Sequence, residues 1–153
     1  MSKKQTWERC DHPAELVSSG ESPNLDIHVI FTNIADTQAT LKAAGGLARD
    51  LRARVTILAA QVVPYPLPLE SPPVPIEFTE RTLGRLASDQ EVEATVKVYL
   101  CRDQRETIRQ ALRPDSVVVI GGRKRWWPTA EQSLAGILKR DGHRVVLVEP
   151  AKR

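Results

Sequence analysis

The sequence predicts one α/β domain, a doubly wound parallel sheet of five strands with helices on both faces. Three observations predict it. Short β-branched apolar runs alternate with amphipathic helical segments through nine successive elements between Leu25 and Pro150, an order that implies parallel strands joined by right-handed crossovers. The 153 residues, 41% hydrophobic and 27% charged, suit a single globular domain with a core of ordinary size. No apolar run approaches the ~20 residues of a membrane-spanning helix, so no membrane association is expected.

The elements follow in order. LDIHVIFTN (25–33) is short, mostly apolar and closed by a polar turn, as a buried strand is. In DTQATLKAAGGLARDLRA (36–53), Leu41, Ala44, Ala48 and Leu51 form one apolar stripe of a helix. Gly45 and Gly46 each cost that helix about 1 kcal/mol relative to Ala, which close approach of helix and sheet backbones would offset. RVTILAAQVV (54–63) is a second buried strand, and IEFTERTLGRLA (76–87) a shorter helix with Ile76, Leu83, Leu86 and Ala87 on one side. EATVKVYLC (93–101) alternates as a third strand. The helix that follows opens with a capping-box pattern, Asp103 with Glu106, and stops before Pro114. SVVVIGG (116–122) is a fourth strand. TAEQSLAGILKRDG (129–142) has Thr129 and Gln132 in capping-box register and Gly142 at its end, and RVVLVEP (144–150) is the fifth strand.

Residues 1–24 have no sustained period and are read as a mostly disordered tail ahead of a domain spanning 25–150. Two connections break the regular frame. PYPLPLESPPVP (64–75) carries six prolines in twelve residues and is expected to be stiff and extended. RKRWWP (123–128) joins the fourth strand to the last helix. Both leave the carboxyl ends of strands, the edge at which doubly wound sheets bind ligands.

The opening through LARDLRARVTIL, the helix after CRDQRETI and the close SVVVIGG…ILKRDGHRVVLVEP resemble the universal stress protein family over residues 25–149. The resemblance implies a Rossmann-like domain with strand order 3-2-1-4-5, a stress-response or regulatory role through partner binding, and a homodimer formed by the last strand. Val145, Val146, Leu147 and Val148 are the implied interface. ATP-binding members carry an acidic residue after the first strand, where this chain has Thr32 and Asn33. They also carry G-x-x-G, nine residues, then G-S/T. Gly121 matches the first glycine, but Lys124 and Glu131-Gln132 stand where the others belong. A side chain there blocks the approach of backbone N–H groups to phosphate. The resemblance is therefore to the branch without ATP, and no cofactor is expected.

An alternative site rests on the residues themselves. Arg123, Lys124 and Arg125 precede Trp126 and Trp127 and enter the N-terminus of the last helix at Thr129. With Thr32, Asn33, Gly121 and Gly122 they could hold an anion, a nucleotide or nucleic acid, the cations on phosphate and an indole on a base. The competing reading packs the indoles on the proline-rich loop and leaves the cations in water. Charge favours neither. Residues 1–96 hold 9 Lys/Arg against 13 Asp/Glu and residues 97–153 hold 13 against 6, but a basic half is more often a solvated face.

Enzyme signatures are missing from the sequence: there is no Walker loop, G-x-G-x-x-G or nucleophile elbow. Cys10 and Cys101 lie far apart without metal spacing, which suits a reducing cytoplasm. Cys101 reads as a buried, inert thiol, and His28 and His143 as structural.

Overall fold

The computed structural model of the chain describes residues 7–9, 25–122 and 129–149. Ten elements run in the order β1 (Trp7–Arg9), β2 (Asp26–Ile30), α1 (Ile34–Leu51), β3 (Arg54–Val62), α2 (Ile76–Asp89), β4 (Ala94–Cys101), α3 (Gln104–Ala111), β5 (Val117–Gly121), α4 (Ala130–Arg140) and β6 (Arg144–Val148). They build one sheet in the order β1-β4-β3-β2-β5-β6. The five strands from β2 to β6 are parallel, and counted among themselves they follow the expected 3-2-1-4-5.

The sixth strand was not legible in the sequence. Trp7–Arg9 pairs antiparallel with β4, Glu8 standing opposite Tyr99, and covers an edge that the parallel sheet leaves open. These three residues depart from the tail read over 1–24. The rest of that segment lies outside the described residues.

The interior strands are apolar throughout because alternate residues serve opposite faces. Ile27, Val29, Ile57 and Val98 face α1 and α2, where they meet Leu41, Ala44 and Leu83. Ile30, Leu58, Val118 and Ile120 face α3 and α4, where they meet Ile108, Leu134 and Leu138.

Side-chain caps fix the helix starts. Asn33 accepts from the Asp36 N–H at 2.9 Å, Asp103 from Glu106 at 3.1 Å, and Thr129 from Gln132 at 3.1 Å. Only the last is a full capping box. The Glu106 carboxylate reaches Arg109 and Gln110 instead. The two glycines of α1 also differ. A side chain on Gly45 would begin 2.7 Å from the Val92 Cγ2, so α1 needs a glycine there against a side chain, not against sheet backbone. Gly46 faces open space.

The proline-rich loop is folded where an extended run was expected. The Leu67 N–H closes one turn on Pro64 O at 3.0 Å, and the Ser71 N–H another on Pro68 O at 2.9 Å. Prolines supply no N–H, so the few other residues close the turns. The loop is also pinned from beneath. The Arg102 guanidinium lies 4.1 Å from the Tyr65 ring centre and donates to Val63 O at 2.8 Å.

Candidate functional site

At the carboxyl edge of the sheet, the Asn33 amide is turned onto the start of α1. Its oxygen accepts from the Asp36 N–H, and its Nδ2 donates to Asp36 Oδ2 at 2.9 Å. The Thr32 N–H points back to Thr37 Oγ1 at 3.4 Å, while the buried Thr32 hydroxyl has no partner among the described residues. Thr37 and Thr40 are wholly buried, and Thr40 donates to Asp36 O at 2.7 Å. Gly121, at the end of β5, is pressed onto this turn. A side chain on it would run into the Thr40 hydroxyl and begin 2.8 Å from Asp36 O. The glycine thus has a packing reason that needs no phosphate.

Gly122 meets α4 in the same way. A Cβ there would stand 2.9 Å from the Glu131 Cβ, and the Gly122 N–H is spent on Val148 O at 2.9 Å. At the helix start, the Thr129 hydroxyl accepts from the Gln132 N–H while the Gln132 Oε1 accepts from the Thr129 N–H, both at 3.1 Å. Glu131 places a carboxylate in the first turn, where it complements the positive end of the helix dipole. An anion arriving at this terminus meets a donor already bonded and a charge of its own sign.

The structure therefore gathers Thr32, Asn33, Gly121, Gly122 and Thr129 at one edge. Arg123, Lys124, Arg125, Trp126 and Trp127 lie outside the described residues. Beside Phe31 is a feature that residue patterns did not reveal, an apolar slot of about 220 Å³ between β3 and the proline-rich loop. Gln61 braces its mouth, donating to Val74 O at 2.6 Å and accepting from the Thr79 hydroxyl at 2.7 Å. That volume is below the ~300–1,000 Å³ of drug-sized ligand pockets. A wider groove of about 750 Å³ opens at the opposite end, where Gly45 and Arg49 of α1 face Gly84 and Ser88 of α2.

The outer strand β6 presents the second candidate surface. Arg144 N–H donates to Ser116 O and Val148 O accepts from Gly122, both at 2.9 Å. Alternate residues of a strand turn their backbone groups to opposite sides, so those of Val145 and Leu147 point away from β5. Their side chains pack on the α3/α4 layer, Val148 packs on the α1/α2 layer, and Val146 is 42% exposed.

Cys101 is buried and donates weakly to Gln61 O at 3.8 Å. Burial pushes its thiol up; Thr107 draws it down and Asp103 adds to the rise. This is the setting of an inert thiol. Among the described residues, no three His, Cys, Asp or Glu gather as a metal site, and no helix is long and apolar enough to cross a membrane.

Fold and edge together define a doubly wound α/β domain with its glycine-bearing β5 at the switch in strand order. The same architecture is that of a universal stress protein from Archaeoglobus fulgidus. The two match with a TM-score of 0.60 at 13% identity, over 81% of this chain and 93% of that one. The chain thus has the universal stress protein fold. No family model and no curated protein matches its sequence.

Proposed function

We propose that this chain is a non-catalytic universal-stress-protein-like domain, serving a stress-response or regulatory role as a homodimer that binds partners and not ATP. The observation that carries the reading is the N-terminus of α4. A triphosphate held there would compete with Thr129 for the Gln132 N–H and would lie against the Glu131 carboxylate over Gly122. Both features weigh against that group. Asn33 likewise turns its amide onto Asp36, and the residues that directly follow β2, Phe31, Thr32 and Asn33, are not acidic.

The homodimer is supported by β6. An edge strand with outward backbone groups at Val145 and Leu147 and an exposed Val146 is a template for another strand. A second copy pairing antiparallel would cover it with an isologous interface.

Thermal unfolding with and without millimolar Mg-ATP tests the reading, beside light scattering at micromolar concentration. A ligand at a hundredfold excess over its Kd stabilises the native state by about 2.7 kcal/mol. The expected result is an unmoved Tm and twice the 17.0 kDa chain mass. A clear rise in Tm with ATP, or a monomer mass, overturns the corresponding half.

A further inference from the structure

At the amino end of the sheet, on the α3/α4 side, two histidines are 8% exposed each. His28 stands on β2 between Thr56 of β3 and Val118 of β5, and its Nδ1 has no hydrogen-bond partner among the described residues. His143, in the turn from α4 to β6, accepts the Ser116 N–H on its own Nδ1 at 3.2 Å. That bond requires a neutral ring with its proton on Nε2.

Ser116 is the hub of this corner. Its hydroxyl donates to Arg113 O at 2.5 Å and its carbonyl accepts from the Arg144 N–H at 2.9 Å. The residue before it, Asp115, holds a φ of 60°. One imidazole therefore fastens the entry to β5, and through Ser116 the entry to β6.

We propose that His28 is an acid-release latch for this corner: taking up a proton in its buried place beside Val118 of β5 detaches the starts of β5 and β6 from the α3/α4 layer while the α1/α2 side of the sheet stays folded. The charges around the pair set the direction. Lys97 of β4 and Arg113 after α3 act on His28 together with His143, and Asp26 is the carboxylate that opposes them. Asp141 lies close to His143, but its carboxylate is already gripped by Arg109. Burial holds His28 below its ordinary 6.5, Asp26 pulls it back, and Lys97, Arg113 and His143 push it further down. Its contribution to stability is complete above that ordinary value and is lost as pH falls below it toward the folded-state value.

Amide hydrogen exchange of the intact protein at pH 7.5 and 5.0 tests the latch. The protection factors of Ser116 and Arg144 should fall at least tenfold on acidification, with those of Ile57 and Leu100 held within threefold. The double variant His28→Leu/His143→Asn keeps an acceptor near the Nδ1 position and does not titrate, so its Ser116 protection should be flat across that range. An unchanged wild-type protection factor, or the same fall in the double variant, overturns the proposal. If the variant does not fold, the imidazole signal of His28 in the wild type decides. Titration in step with the loss of Ser116 protection supports the latch, and titration with protection intact overturns it.

Discussion

Glu131 packs on Gly122 so closely that a single methyl on the glycine would begin 2.9 Å from the glutamate Cβ. Gly122→Ala should therefore overpack the β5–α4 junction and cost about 1–3 kcal/mol in urea unfolding. Glu131→Gly in the same chain should recover part of that loss. Gly121→Ala should cost more and resist rescue by Thr40→Ala, because Asp36 O is a backbone atom 2.8 Å away that cannot step aside. Equal costs for the two glycines would contradict this packing.

Pairing through β6 can be probed without touching the ladder to β5. Val145 turns its N–H outward, so Val145→Pro removes an edge donor and leaves the inward bonds of Arg144 and Val148 in place. Analytical ultracentrifugation should find the variant folded and the proposed dimer weakened at least tenfold. Leu147 is a poor place for such a test, since its side chain packs on the α3/α4 layer. An undiminished dimer would send the interface elsewhere.

Arg102 sets the order of the proline-rich loop by stacking on Tyr65 and bonding Val63 O. Arg102→Leu should leave the core intact and speed proteolytic cleavage between 64 and 75 several-fold. Lysine should not restore protection, because a point charge cannot both lie flat on the ring and hold the carbonyl.

A fourth expectation concerns Arg109 and Asp141, paired at 2.8 and 3.0 Å on the surface. The Arg109 hydrogen bond holds the Asp141 carboxyl below its ordinary value. The pair's contribution is present above the usual carboxylate range and fades as pH falls through the lowered value. A double-mutant cycle with Arg109→Gln and Asp141→Asn should give a small favourable coupling at low salt that is gone at ~1 M salt. Coupling that survives such salt would mean the pair is better shielded than its exposure implies.

The parallel sheet and its helices could be read from residues because β-branched runs and apolar stripes are local signals. Trp7-Glu8-Arg9 was not readable as β1: three polar-flanked residues have no period, and only the register with β4 makes them a strand. The proline-rich loop misled for a related reason. Proline content excludes helix and central strand, but the turns depend on the Leu67 and Ser71 N–H groups and on an arginine in another element. At the site, Thr32, Asn33, Gly121, Gly122 and Thr129 could be placed on one edge from topology alone. That Glu131 covers Gly122, and that Gln61 braces a slot beside Phe31, are matters of packing between elements distant in sequence.

The alternation of Ile27 and Val29 with His28 and Ile30 along β2 gives the molecule two separate interiors, divided by a wall one residue thick. Changes of volume on one side have no neighbours to disturb on the other. Ile57→Val and Ile120→Val, which lie in different chambers, should each cost ~0.5–1.5 kcal/mol and add to within ~0.5 kcal/mol when combined. The chain can accordingly be repacked, by mutation or by an engineer, one chamber at a time.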